Sequence, residues 1–296
     1  MIDELNVVAV IGAGTMGRGI AQAFAQAGYA TALYDVDPDA ARSARRAIEA
    51  TLDKGVALRK IDPADRERAL ERLRVETDLG EAVVDADLAI EAIPELLAAK
   101  CEMFAELDAR CPESAILASN TSSLPIAALA AETARPDRVA GLHFFNPVHV
   151  MKLVEIVAPE GVSPAVVETL RRAVESLAKH PIVVKDVPGF ATSRLGIALG
   201  LEAIRMLEEE VASPADIDAA MELGYNHPMG PLKLTDLVGL DVRLAIAEHL
   251  ARELDERRFE PPELLKRMVS AGMMGRKSGE GFYRWEDGKP IPKEGT

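Results

Sequence analysis

Val7-Val8-Ala9-Val10-Ile11-Gly12-Ala13-Gly14-Thr15-Met16-Gly17 is the stretch that decides how this chain folds. Consecutive apolar residues without polar alternation read as a strand buried on both faces, as in the middle of a parallel sheet. The GxGxxG run leads into small residues that continue to Ala27 and stop at Gly28, the pattern of a helix closed by glycine. Thr31-Ala32-Leu33-Tyr34 then reads as a second strand closing on Asp35, which makes a βαβ unit. In such a unit Gly12 permits the tight turn, Gly14 lets a diphosphate approach the backbone, and Gly17 lets helix and strand pack closely. Thr15 and Met16 complete the loop at the helix start, whose free N–H groups suit an anion. Asp35, 18 residues beyond Gly17, would accept hydrogen bonds from a ribose and repel a 2′-phosphate, so NAD is expected over NADP.

Outward from this unit, residues 38–74 are helical in pattern and heavily charged, broken near Gly55 and at Asp62-Pro63. They read as a helix pair projecting from the sheet. Strands resume at 88–92 and 115–118 with a helix near 97–110 between them, and two more, 139–145 and 153–157, flank the Asn146-Pro147 turn. A helix at 164–178 and a strand at 182–184 finish the sheet. Asp186-Val187-Pro188-Gly189-Phe190 punctuates the chain, and residues 190–270 then show helical periodicity without convincing strands. The expected architecture is α/β. Residues 1–186 form an NAD-binding Rossmann-type doubly wound sheet with a helical-pair insertion, and 187–296 an all-α C-terminal domain.

Composition narrows the partners. The 296 residues are 48% hydrophobic and 28% charged, an ordinary globular balance. No run approaches the ~20 apolar residues of a membrane span. The acidic Asp3 and Glu4, and an apolar run that ends at once in glycine, argue against a signal peptide, so a cytoplasmic location is expected. Cys101 and Cys111 stand in neither a CxxC nor a zinc spacing, and no metal is expected. A net charge of −14 without a basic stripe excludes nucleic acid, because phosphate neutralisation needs clustered cations. The exception is local: Arg42, Arg45, Arg46, Lys54, Arg59 and Lys60 face only Glu49 and Asp53 over 42–60. That segment is either a solvated helix face or a seat for an anionic ligand.

Hydride transfer to a dinucleotide leaves a proton to remove, and histidine suits that work near neutral pH. Of the five histidines, His249 in a charged helix and His180 before a proline read as surface, and His227 in a Pro-rich turn as structural. His149 follows the Asn146-Pro147 turn. His143 ends an apolar strand late in the sheet order, where ligands of open α/β sheets bind. A lone strand histidine is more often a packing residue; Glu155, on the returning strand, shifts the balance if it accepts the second ring N–H.

Several blocks in order identify the chain as similar to the 3-hydroxyacyl-CoA dehydrogenase family, most closely its bacterial 3-hydroxybutyryl-CoA members. They are Gly12–Gly17, Glu91-Ala92-Ile93-Pro94-Glu95, Ser119-Asn120-Thr121-Ser122-Ser123-Leu124, Gly141-Leu142-His143-Phe144-Phe145-Asn146-Pro147 with Met151-Lys152-Leu153-Val154-Glu155, Pro188-Gly189-Phe190, and His227-Pro228-Met229-Gly230-Pro231 before Asp236 and Gly239-Leu240-Asp241. The resemblance implies that His143 takes the proton from the C3 hydroxyl of an acyl-CoA and that Glu155 orients it. It further implies that Ser122 bonds the reacting oxygen and that Asn146 places substrate and nicotinamide. Glu95, Lys100 and Asn120 fall where the family contacts the cofactor, and Thr51 and Lys54 on its CoA-binding arm. It implies a homodimer paired through the helical domain. One position departs from the pattern: Ser193 stands where the family usually has an asparagine close to substrate. Other readings are a 3-hydroxyadipyl-CoA substrate, a sugar acid or other hydroxy acid without CoA, and a non-catalytic dinucleotide-binding protein. Ser122 and Ser123 also read as caps of a helix over 125–131, and 275–281 as loop punctuation.

Overall fold

Strand β1 (Val7–Ile11) is the axis of the first unit, because its side chains alternate between two separate apolar cores. Val8 and Val10 join one core; Ala9 and Ile11 join the other. A strand with helices on both faces must be apolar throughout, and this one is. The computed structural model describes residues 5–254 and 257–293, so Asp3 and Glu4 lie outside the described residues.

Helix α1 (Thr15–Ala27) returns over the first core to β2 (Ala30–Tyr34). Helices α2 (Pro38–Ala57) and α3 (Pro63–Arg72) follow, each capped by an aspartate side chain, Asp37 and Asp62, before a first-turn proline. The helix pair does not project clear of the sheet. Ala44, Ile48, Leu52 and Ala69 bury against the same core as Ile20 and Phe24 of α1, so the pair lies along that helix. It leads into β3 (Leu73–Glu76), an edge strand parallel to β2 that the charged sequence concealed. The sheet continues through α4 (Leu79–Val83), β4 (Leu88–Glu91), α5 (Leu97–Arg110), β5 (Ile116–Ser119), α6 (Ile126–Ala130), β6 (Val139–Phe144), β7 (Leu153–Ala158), α7 (Pro164–Ser176) and β8 (His180–Lys185).

The strand order is β3-β2-β1-β4-β5-β6-β7-β8, parallel except that β6 and β7 run antiparallel. Order reverses between β1 and β4, and ligands of open sheets bind beyond the strand ends at such a point. The antiparallel pair has its own consequence: the end of β6 lies beside the start of β7, and the register sets His143 directly opposite Glu155.

The chain divides into two compact units, residues 1–190 and 191–296. The second holds α8 (Thr192–Glu208), α9 (Pro214–Gly224), α10 (Pro231–Val238), α11 (Leu240–Leu254) and α12 (Glu263–Ser270). It is not wholly helical: β9 (Arg284–Glu286) and β10 (Lys289–Ile291) close it with a hairpin. Buried Asp236 pins that hairpin to α10. Its carboxylate accepts from the Phe282 N–H at 2.8 Å and from the Tyr283 N–H and the Trp285 indole, each at 2.9 Å. The glycines of 275–281 serve this packing. A Cβ on Gly281 would stand 2.1 Å from Asp236 Oδ1, and one on Gly275 2.3 Å from the Asp236 carbonyl oxygen. Among the described residues no helix is long and apolar enough to cross a membrane.

Candidate active site

The glycine loop fits the tasks its sequence predicts. Gly12 has φ +103°, and a Cβ there would lie 2.7 Å from the Ala92 carbonyl oxygen beyond β4. A Cβ on Gly17 would meet the Gly12 oxygen at 1.7 Å, so only glycine lets α1 approach the turn. A Cβ on Gly14 would meet nothing within 4 Å, and Gly14 and Thr15 are exposed, with Met16 half-buried beneath. The start of α1 has neither a side-chain cap nor an acidic residue, which leaves its N–H groups open toward an anion. Asp35 follows β2. Its Oδ2 accepts the Ala13 N–H at 2.8 Å and its Oδ1 the Asp37 N–H at 3.0 Å. A carboxylate has about four acceptor positions, so the same group can brace the loop and still receive ribose hydroxyls. The cradle fits a dinucleotide.

A second wall rises from the ends of β4 and β5. Glu95 Oε1 accepts from Thr121 Oγ1 at 2.5 Å and from the Ser122 N–H at 3.0 Å, with the Ser122 and Ser123 hydroxyls at 3.4 and 3.3 Å. Burial pushes the Glu95 carboxyl upward, but Thr121, the Lys100 ammonium and the Ser122 amide outweigh it and hold the group below its ordinary value. Ser122 and Ser123 therefore turn to Glu95 and do not cap α6. That task falls to Asp186, which accepts the N–H groups of Ile126 and Ala127 at 3.0 and 2.7 Å.

Lys100 lies behind this wall. Only 1% exposed, its ammonium bonds buried Glu91 at 2.6 Å, the Ile93 carbonyl at 3.2 Å and Glu95 at 3.2 Å. The far oxygen of Glu91 takes the Ser119 hydroxyl at 2.6 Å. The sequence reading overlooked Glu91 as a working residue, although Glu91 and Glu95 stand together in one of its motif blocks. A fully buried carboxylate needs a charge partner, and Lys100, nine residues on, supplies it.

Asn120 links this wall to the histidine. Its Oδ1 accepts the Phe144 N–H at 2.9 Å, which ties the end of β5 to the end of β6. Next to Phe144, His143 is 7% exposed and its Nδ1 lies 2.7 Å from Oε2 of fully buried Glu155. A carboxylate accepts, so Nδ1 carries the hydrogen and Nε2 is left as the basic nitrogen. Phe145 and Phe190 flank the ring, with centroids at 4.4 and 6.0 Å.

Beyond His143 the chain turns through Asn146, a cis Asn146–Pro147 bond, and His149. Asn146 and His149 line a small cleft of about 160 Å³ with Thr15 and Thr51. Thr51, His149 and Gln22 also line a larger groove of about 750 Å³, shared with Lys54, Lys60 and Lys179. The basic segment carries less free charge than its sequence suggests, since Arg42 pairs with Asp39 at 2.6 Å and Arg45 with Glu49 at 3.1 Å. Lys54 and Lys60 have no carboxylate partner among the described residues, and both line the groove. Ser193 belongs to the second unit, half-buried in the first turn of α8.

The family profile described as 3-hydroxyacyl-CoA dehydrogenase, NAD binding domain, matches residues 7–187, and the corresponding C-terminal domain profile matches 189–285. A Bacillus subtilis protein named probable 3-hydroxybutyryl-CoA dehydrogenase is 44% identical over 284 residues, 96% of this chain and 99% of the relative. An Escherichia coli protein named 3-hydroxyadipyl-CoA dehydrogenase is 44% identical over 286 residues; the match spans 96% of this chain and 60% of that protein. The crystal structure of (S)-3-hydroxybutyryl-CoA dehydrogenase from Ralstonia eutropha is similar with TM-score 0.93 and 39% identity, over 96% of this chain and all of the other (100%). The chain belongs to the 3-hydroxyacyl-CoA dehydrogenase family and carries its NAD-binding domain.

Proposed function

We propose that this protein catalyses the reversible, NAD-dependent oxidation of a short-chain (S)-3-hydroxyacyl-CoA, such as 3-hydroxybutyryl-CoA, to the 3-oxoacyl-CoA. The observation that carries the reading is the 2.7 Å contact between His143 and Glu155, set by strand register beside the dinucleotide wall. Bound NAD supplies the hydride acceptor. The chain's residues do the rest. His143 Nε2 removes the C3 hydroxyl proton, while Glu155 holds the tautomer and stabilises the imidazolium that forms. Ser122 donates to the reacting oxygen, and Asn146 orients the acyl group. Gly12, Gly14, Thr15, Met16 and Gly17 seat the diphosphate, Asp35 the adenosine ribose. Glu95 and Asn120 form the nicotinamide side, with Lys100 acting through Glu95. Thr51 and Lys54 receive the CoA, and Ser193 replaces an asparagine amide with one hydroxyl near substrate. The functional form proposed is a cytoplasmic homodimer joined through the helical unit, with residues 1–186 and 187–296 as its two domains.

A second reading, 3-hydroxyadipyl-CoA as substrate, is favoured by the 44% identity to the relative of that name. NADH consumption with acetoacetyl-CoA and with 3-oxoadipyl-CoA separates the two, and turnover of neither would sink both. His143→Gln is expected to lower kcat by at least ~100-fold, the low end for acid–base catalysis, with KM for NADH little changed. Near-parental turnover in that variant would remove His143 from the mechanism.

A further inference from the structure

Neither proton transfer nor cofactor binding gives Lys179 a task, yet it is a half-buried cation at the back of the turn that carries Asn146. Helix α7 ends, Ala178 adopts a left-handed φ of 55°, and the chain doubles back so that Lys179 lies under residues 148–151. Its ammonium donates to the carbonyl oxygen of Val148 and, at 2.8 Å, to that of Met151. The next residue, His180, donates its N–H to the Lys152 carbonyl oxygen at 2.6 Å. Three carbonyls of one short stretch are thus held from a single segment. The turn's own contribution is slight: the Pro147 carbonyl accepts from Val150 and Met151 at 2.9 and 3.0 Å.

Burial lowers the affinity of Lys179 for its proton, and no carboxylate among the described residues offsets the charge. Half-burying an ammonium without a counter-ion costs free energy, and here two backbone carbonyls supply the compensation. The turn they fix presents Asn146, Pro147 and His149 to the small cleft beside Thr15 and Thr51. Lys179 also lines the neighbouring groove with Lys54 and Lys60. It therefore has two conceivable tasks, holding the turn or touching a phosphate. The two carbonyl bonds favour the first, because they already take two of its three N–H donors.

We propose that Lys179 is a positioning residue for the reaction: by holding Val148 and Met151 it fixes the turn that presents Asn146 to substrate and nicotinamide. The inference rests on the acyl-CoA dehydrogenase reading above. The test compares the parent protein with Lys179→Met and Lys179→Arg on acetoacetyl-CoA and on acetoacetyl-N-acetylcysteamine, a thioester lacking the nucleotide. Misplacing a group by an ångström costs up to about 100-fold. Lys179→Met should accordingly lower kcat by ~10-fold or more on both thioesters, with KM for NADH within about 2-fold of the parent. Lys179→Arg, which restores the donors and the charge, should recover most of that loss. A raised KM for acetoacetyl-CoA with kcat intact would make Lys179 a phosphate contact and overturn the proposal. So would a general loss, KM for NADH included, that arginine does not rescue. A parent protein that turned over neither thioester would overturn the short-chain substrate reading, and the assignment with it.

Discussion

At the scale of single residues, the site is a set of groups whose second partners decide what they do. Glu155 is fully buried and bonded to His143 Nδ1, so its charge is available to an imidazolium. Glu155→Gln can present an NH2 to Nδ1 and so stabilise the wrong tautomer. Amide replacement of such a carboxylate is expected to cost about 10²–10⁴ in kcat, with the fold and KM for NADH preserved. A kcat within threefold of parental would show that the pair is only packing. Asp35 has two partners, the loop and a ribose, and its variant separates them. Asp35→Ala frees the Ala13 N–H and loosens the loop for either cofactor, but only NADP gains from the lost negative charge. The expected result is a KM for NAD raised ~10-fold, the worth of one charge-assisted hydrogen bond, and a kcat/KM ratio of NADPH to NADH that rises. An unchanged ratio would detach Asp35 from cofactor choice. The placement of His143, Glu155 and Asp35 is legible in the sequence because each lies on or just beyond an apolar strand. The burial of Lys100 is not, since its partner Glu91 reads as one acid among many until its side chain is found inside the sheet.

At the scale of elements, chain reversals matter more than helices. Ala178 sits where a helix end wants glycine, with φ 55°. A non-glycine residue there costs of order 1 kcal/mol, and glycine removes the clash but adds freedom to the unfolded chain. Ala178→Gly is therefore expected to raise unfolding free energy by about 0.5 kcal/mol, read by urea denaturation, while activity stays parental. A loss of 1 kcal/mol or more would mean that the left-handed turn carries no strain here. The same physics decides what the sequence could reveal. Apolar runs such as β1 and β6 name themselves, and the helix 97–110 matches α5 (Leu97–Arg110). Strand β3 is hidden because an edge strand of four residues, LRVE, is fully buried only at Leu73 and so admits Arg74 and Glu76. The terminal hairpin was hidden for a related reason: its anchor, Asp236, is distant in sequence and looks like any helix acid. The projecting helix pair was misjudged because small alanines, Ala41, Ala44 and Ala69, do its close packing and look weakly apolar in the sequence.

At the scale of the whole molecule, charge poses the sharpest problem. A chain of net charge −14 repels the phosphates of an acyl-CoA, so recognition of one depends on a local reversal of sign. Part of the basic segment is unavailable for that purpose, because Arg42 and Arg45 are already paired, although Arg66 from outside it neutralises Asp53 at 2.8 Å. Lys54 and Lys60 line one groove with His149, where Lys179 already gives two of its donors to backbone carbonyls. Charges on an open groove are screened over a Debye length of ~10 Å at 0.1 M salt and ~3 Å at 1 M, whereas the buried His143–Glu155 contact is not. Salt should therefore act on capture of the nucleotide and leave the chemical step alone. Raising ionic strength from about 0.05 to 0.5 M is expected to increase KM for acetoacetyl-CoA about 3- to 10-fold at nearly constant kcat. KM for the N-acetylcysteamine thioester, which has no phosphate, should stay flat. Lys54→Met should raise KM for acetoacetyl-CoA at low salt and flatten its rise, since less attraction is left to screen. If both thioesters respond to salt alike, the groove is not where the nucleotide is held, and the cationic arm reverts to a solvated helix face.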